Sequence, residues 1–204
     1  MRSRSELALA VLHTAQGMLT ENIKALTLEE ALAAAGGYRS VLGILKHTAS
    51  WSHVYRSYAF EAEPTHLNTL EWPRGLRDTI EVSQEYLDET VAWLEDAFAL
   101  WEASVGDAKE EEFDELRSLH WGEQMPLFDI VALNAAHWTY HAGELNEILA
   151  ILRGEAWTYT EEVEENHIST AGHRIRAGWM TDEHAKGYEA HLAQRDKELH
   201  GAAG

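Results

Sequence analysis

The 204-residue chain contains no cysteine, which excludes a disulfide scaffold, a thiolate zinc site and a cysteine nucleophile. Basic residues are scarce: 16 lysines and arginines stand against 35 aspartates and glutamates, for a formal net charge of −19. Because no basic patch offsets this charge, we expect no nucleic acid partner. No run of apolar residues approaches the length of about 18 that suggests a membrane-spanning helix, so we expect no contact with membranes.

The amino-terminal residues MRSRSELALAVLH lack a long apolar core and a small-residue cleavage site. We therefore expect no signal peptide and a cytoplasmic protein. Hydrophobic residues make up 45% of the chain and charged residues 25%, as in ordinary globular proteins. A chain of this length can bury a substantial core without disulfides, so we expect one domain, or one domain with an appendage.

Histidine is abundant, with 12 residues, and the chain also has eight tryptophans. So many imidazoles favour at least one metal or proton-transfer site. The most informative stretch is 126–154, where Pro126 suits the first turn of a helix and Gly154 suits its end. One face of this predicted helix repeats at steps of three and four. It comprises Leu127, Ile130, Asn134, His137, His141, Leu145, Ile148 and Leu152.

Three polar residues, Asn134, His137 and His141, occupy the middle of this otherwise apolar face. Burying unpaired imidazoles costs free energy, so they need hydrogen-bond partners or a metal ion. His137 and His141 are four residues apart, with Cβ atoms about 6 Å from each other in a helix. Two imidazoles at this separation can chelate one metal ion, with a third ligand from another helix. A hydrogen-bonded polar core is the alternative.

Residues 38–60 form a second such helix, with Ser40 as a predicted N-cap. Its core face contains Ile44, His47 and Trp51, so His47 also interrupts an apolar stripe. Further helices are predicted over 3–26, after the Thr27 capping box, over 76–101 and over 182–199. The acidic stretch 106–124, with breaks at Gly106 and Gly122, is predicted as a mobile connection with a short helical or extended piece.

Four long amphipathic helices with almost no strand signal predict an all-α, up-down four-helix bundle. We assign residues 1–154 to this metal-binding bundle. Residues 155–204 are assigned to a C-terminal extension with one helix, packed on the bundle or at a dimer interface.

Two motifs resemble the DinB/YfiT-like metalloproteins. The segment Gly37-Tyr38-Arg39-Ser40-Val41, followed by Ile44-Leu45-Lys46-His47, resembles that family's second helix, where an aromatic-x-Ser or Trp-Ser start leads to Leu-x-His. The segment HWTYHAGE at 137–144 resembles the His-x-x-x-His of its last bundle helix. The resemblance covers roughly residues 5–153 and includes the order of the histidines, one on helix two and two on helix four.

This resemblance implies a DinB-like bundle that holds one divalent metal through His47, His137 and His141, with open positions for water and substrate. Three imidazoles with an open position are typical of a catalytic metal site. Zinc is the first expectation and nickel or iron the alternatives, since imidazole suits all of them. Characterised relatives include S-transferases and isomerases that use mycothiol or bacillithiol, and a homodimer is a further family-level expectation.

Other residues near the histidines are candidates for supporting roles. We predict that Trp51, Tyr55 and Trp138 shape a cofactor or co-substrate pocket, with plain packing as the alternative for each ring. Glu144, one turn beyond His141, is predicted as a second-shell acceptor, a catalytic base or a fourth ligand. Asn134 is predicted to hydrogen-bond a ligand or water.

We therefore predict a metal-dependent enzyme, a thiol-dependent S-transferase or isomerase that acts on a small electrophile. Because the chain has no cysteine, the thiol would be a low-molecular-weight co-substrate. One alternative is a metal-dependent hydrolase with a metal-bound hydroxide as nucleophile. Another is a non-catalytic bundle that presents its acidic surface and C-terminal helix to a partner.

Overall fold

A computed structural model of the protein describes residues 2–24, 26–34, 39–73, 76 and 82–153. Five α-helices, one 3₁₀ helix and one small hairpin lie in this part of the chain. In order, they are α1 (Arg4–Ile23), α2 (Leu28–Leu32), α3 (Val41–Phe60), α4 (Gln84–Asp107), a 3₁₀ helix (Glu110–Asp114), β1 (Leu116–Ser118), β2 (Gln124–Pro126) and α5 (Leu127–Arg153).

Hydroxyl side chains cap the first four α-helices. Ser3 and Thr27 form capping boxes with glutamates three residues later, and Ser40 and Ser83 accept hydrogen bonds from backbone N–H groups of the first turn. Each cap satisfies an N–H group that has no partner within the helix. The predictions of a Thr27 capping box and a Ser40 N-cap are confirmed.

Helices α1, α3, α4 and α5 form the predicted all-α four-helix bundle. Helix α1 packs against α5 and α4, and α3 packs against α4 and α5. The predicted apolar stripes face this interior, including Leu12, Leu19, Leu94 and Ile148. Burial of these stripes, more than local helix propensity, stabilises the bundle.

Ser52 connects three helices in the middle of this interior. Its backbone carbonyl accepts a hydrogen bond from Nε1 of Trp101 on α4 at 3.0 Å. Its hydroxyl oxygen accepts one from Nε1 of Trp138 on α5 at 2.6 Å. The hydroxyl itself donates to the carbonyl of Thr48, one turn earlier on α3. Both buried indoles therefore find partners, as buried polar groups must.

Helix α4 differs from its predicted range of 76–101. It begins at Gln84, where Ser83 provides the cap, and it continues to Asp107. Gly106 was predicted to interrupt the secondary structure, but it lies within the last turn of the helix. A glycine in a helix costs only about 1 kcal/mol, and burial of the adjacent Val105 favours continuing the helix.

The connection from α4 to α5 contains the 3₁₀ helix and an antiparallel hairpin, with Leu116 paired to Pro126. Gly122 adopts φ +87° in the hairpin loop, a left-handed conformation that glycine tolerates best. Pro126 was predicted as the first residue of the helix, but it closes β2, and α5 begins one residue later. A proline at the end of an edge strand loses no ladder hydrogen bond.

The predicted extension over 155–204, including the helix at 182–199, lies outside the described residues. The motif residues Gly37, Tyr38 and Gly154 lie outside them as well. Within the part of the chain that is described, no helix is both long enough and apolar enough to cross a membrane.

Candidate metal centre

The bundle interior brings together His47 from α3 and His137 and His141 from α5. Nε2 of His137 lies 3.3 Å from Nε2 of His47 and 3.0 Å from Nε2 of His141. One ring nitrogen from each residue lies within 4.8 Å of the other two. His141 is buried, and the other two are partly buried. The trio predicted from sequence therefore forms one compact cluster.

Burial makes all three imidazoles harder to protonate. Desolvation, followed by the neighbouring His141, lowers the pKa of His47 to about 4. The same two causes lower the pKa of His137 to about 3. Desolvation also lowers the pKa of His141, although Glu144 opposes the shift. The three rings are therefore neutral at pH 7, which is the form that binds metal ions.

The hydrogen bonds of the trio leave lone pairs without donors. Nδ1 of His141 donates to Oε2 of Glu144 at 2.5 Å, so Nε2 of this neutral ring carries a lone pair. A proton on Nε2 of His137 can serve only one of its two neighbours, and its buried Nδ1 has no partner among the described residues. Protons alone cannot satisfy this arrangement.

A metal ion fits the same arrangement. Two nitrogens, each about 2.0–2.1 Å from one zinc ion, lie about 2.9–3.4 Å apart for coordination angles between about 90° and 110°. The two separations of 3.0 and 3.3 Å fall within this range, and the ligand atoms of all three histidines lie within 4.8 Å of one another. The donor set of three imidazoles also suits divalent transition metals. His47, His137 and His141 are thus the residues that could hold a metal ion.

Glu144 and Asn134 lie on the same helix as two of these histidines. The contact between Glu144 and Nδ1 of His141 fits the predicted role of second-shell acceptor. Asn134 is fully buried one turn before His137, and neither its Nδ2 nor its Oδ1 has a partner among the described residues. An unpaired buried amide normally binds a water or a ligand. The role predicted for Asn134 stays a prediction.

Two of the three predicted pocket aromatics lie beside the trio. The ring centroid of Trp51 lies 6.3 Å from that of His47, and Tyr55 meets His137 edge-on at 5.7 Å. Trp138 instead packs against Phe98 at 4.7 Å and donates to Ser52 in the bundle core. The structure does not bring Trp138 to the histidines, and its role in cofactor binding stays a prediction.

Sequence reasoning missed two residues near the site. His120, in the hairpin loop, contacts Trp51 with ring centroids 4.7 Å apart. Arg39, just before α3, contributes to the low pKa of all three histidines. The Trp121-Gly122 turn gives a signal for the hairpin, but no sequence pattern places His120 against α3.

The bundle and its three converging histidines define a helical protein with a candidate metal centre. A family model for the DinB superfamily matches residues 12–145. This match covers about two thirds of the 204-residue chain and includes all three histidines. The protein belongs to the DinB superfamily. No curated protein and no solved structure matches the chain.

Proposed function

We propose that the protein is a metal-dependent enzyme in which His47, His137 and His141 hold one divalent ion, with zinc as the first candidate. The observation that carries this proposal is the convergence of three neutral ring nitrogens from two helices. A divalent ion bound there supplies Lewis acidity and lowers the pKa of a bound thiol or water.

The reaction we propose is transfer of a thiol sulfur to a small electrophile, or the thiol-assisted isomerisation of that electrophile. In the transfer, the sulfur of a small-molecule thiol forms a bond to a carbon of the electrophile, and the bond from that carbon to its leaving group breaks. The leaving group departs with the electron pair of that bond, and the thiol proton goes to solvent. The thiol must be a co-substrate because the chain has no cysteine. The three imidazoles add no negative charge of their own, which favours an anionic thiolate at the site.

The residues around the trio have distinct tasks in this proposal. Glu144 holds the ring of His141 so that Nε2 faces the other two histidines. Trp51 and Tyr55 shield one side of the cluster from water. Hydrolysis is less well supported, because Glu144, the carboxylate predicted as a base, already accepts a hydrogen bond from His141.

Metal content of the purified protein, measured by elemental analysis, tests the site. We expect about one divalent ion per chain in the parent and its loss in His47→Ala and His141→Ala. His13→Ala is the matched control, since His13 pairs with Glu102 on a different helix pair. Metal retained in both site variants, or absent from a carefully loaded parent, would overturn the proposal.

Thiol dependence tests the reaction. With 1-chloro-2,4-dinitrobenzene as the electrophile, we expect turnover by the loaded protein only when mycothiol or bacillithiol is added. His141→Ala should abolish this turnover, whereas His13→Ala should retain it. Turnover of an ester that does not respond to thiol would favour the hydrolase instead.

A further inference from the structure

A cleft of about 550 Å³ opens beside the trio, on the side of α3 that faces the hairpin. We call it the tryptophan cleft. Its walls include Trp51 and Val54 of α3, His66, Leu67 and Trp72 of the connection after α3, and His120 of the hairpin loop. This volume lies within the range of about 300–1,000 Å³ that is typical of small-molecule sites.

The tryptophan cleft adjoins the candidate metal centre through a pair of aromatic rings. Trp51 lines the cleft, contacts His120 on one side, and has its ring centroid 6.3 Å from that of His47. Tyr55 packs against Trp51 at 5.4 Å and reaches His137 at 5.7 Å. Trp51 is therefore common to the cleft and to the surroundings of the histidines, so the two sites lie side by side.

The walls of the cleft favour an uncharged, planar ligand. Among the described residues that line it, none is a carboxylate, lysine or arginine. Desolvation and the neighbouring His66 lower the pKa of His120, which keeps its ring neutral at pH 7. Nζ of Lys46 already lies 5.7 Å from the ring centroid of Trp72, so a cationic ligand would meet a like charge there.

Two residues in the walls can donate a hydrogen bond to a molecule in the cleft. The hydroxyl of Tyr58 lies 2.7 Å from Nδ1 of His66. Because burial raises the pKa of Tyr58, the phenol keeps its proton and can donate a hydrogen bond to Nδ1. When Nδ1 accepts this bond, the ring N–H of His66 is on Nε2. Nε1 of Trp72 is buried and has no partner among the described residues. A ligand with an acceptor atom would satisfy these groups.

We propose that the tryptophan cleft binds the electrophilic substrate, as an uncharged, planar aromatic compound that carries a hydrogen-bond acceptor such as a carbonyl oxygen. Its ring system packs against Trp51 and Trp72, and its acceptor faces the N–H donors of His66 and Trp72. That this ligand is the substrate rests on the function proposed above. Its binding to the cleft requires no metal.

Coumarin, a planar bicycle with one carbonyl acceptor, is the probe. We expect saturable binding of coumarin to the full-length protein by calorimetric titration. Trp51→Ala and Leu67→Glu should each weaken it by about tenfold or more. Leu67 is 37% exposed, so its substitution leaves the bundle core intact. The matched control is Trp121→Ala, because Trp121 neighbours His120 but does not line the cleft.

Two further ligands test the chemistry of the cleft. Naphthalene has a similar shape without an acceptor, and phenyltrimethylammonium carries a positive charge. Tyr58→Phe should weaken the binding of coumarin by about 2- to 10-fold, the effect of one neutral hydrogen bond, and leave the binding of naphthalene unchanged.

The proposal is overturned if coumarin does not bind, if both cleft variants bind it as the parent does, or if phenyltrimethylammonium binds more tightly than coumarin. An equal loss of affinity for coumarin and naphthalene in Tyr58→Phe would overturn the requirement for an acceptor.

The titration is repeated after treatment with a chelator, which separates this proposal from the metal proposal. Coumarin binding by a protein that takes up no metal would support the cleft and overturn the metal-dependent function. Metal binding without coumarin binding would leave the metal-dependent function standing and overturn the cleft. His137→Ala gives the same separation, since it removes a ligand of the trio and no wall of the cleft.

Discussion

Nδ1 of His141 and Oε2 of Glu144 lie 2.5 Å apart, three residues from each other on α5. This spacing places the two side chains on the same face of the helix, one turn apart. The carboxylate fixes the proton of His141 on Nδ1 and leaves the Nε2 lone pair beside His137. A single helix thus supplies two candidate ligands and the group that orients one of them.

We expect Glu144→Ala to weaken metal binding by about 10- to 100-fold, because outer-shell acceptors orient ligating histidines and raise their basicity. Competition with a chromophoric chelator measures this change. Glu147→Ala is the control, since Glu147 is an exposed carboxylate on the same helix. Equal affinities in the two variants would contradict the orienting role of Glu144.

Ser52→Ala should lower the free energy of unfolding by about 1–3 kcal/mol, because Nε1 of Trp138 loses its buried acceptor. Urea denaturation measures this loss. Ser50→Ala should lower the free energy of unfolding by less, since the hydroxyl of Ser50 donates only to a carbonyl of its own helix. We also expect Ser52→Ala to retain the metal ion. A loss of metal would instead link Trp138 to the site.

Asn134→Leu should raise the free energy of unfolding of the metal-free protein by about 1 kcal/mol, because both side-chain polar atoms of Asn134 are buried and have no partner among the described residues. The same substitution should lower turnover if Asn134 binds a ligand or water in the site. Denaturation after chelation gives the first quantity, and the thiol assay gives the second. Destabilisation of the metal-free protein would show that the amide has a partner there.

The ion pair between Glu30 on α2 and Arg153 at the end of α5 should make stability depend on pH. The hydrogen bond from Arg153, followed by that from the backbone of Thr27, lowers the pKa of Glu30 from 4.5 to about 2. Because the folded pKa is the lower one, this stabilisation is fully present above about pH 4.5 and disappears as the pH falls toward 2.

We therefore expect Glu30→Gln to be less stable than the parent at pH 7, by less than about 1 kcal/mol as for most partly exposed pairs. The difference should shrink as the pH falls from about 4.5 toward 2. Thermal unfolding at a series of pH values measures it, with the exposed Glu29→Gln as the control. A difference that stays constant across this range would contradict the assignment.

The helices and the trio could be predicted because both depend on periodicity. Apolar residues at steps of three and four must face the core, and a histidine in such a stripe must find a partner there. Neighbouring residues on a helix point about 100° apart. Trp138 therefore faces the core when His137 faces the site, which the sequence could have indicated.

Other features could not be predicted because they depend on contacts between distant loops. Strands β1 and β2 have three residues each, too few for an alternating pattern to stand out. His66 and His120 line the cleft from separate connections, and nothing in their local sequence predicts that the two residues lie together. The start of α4 at Gln84 depends on the Ser83 cap, whose sequence signal is a single residue.

Helix α3 supplies side chains both to the candidate sites and to the bundle core. Trp51, Tyr55 and Tyr58 border the trio and the tryptophan cleft, whereas Thr48 and Ser52 bond to the helix backbone and to the core indoles. Side chains that border the candidate sites and side chains that hold the core thus alternate along the same twenty residues. A library confined to positions 51 and 55, which are only partly buried, would explore new ligand preferences while the hydrogen bonds of Ser52 to the core indoles stay in place.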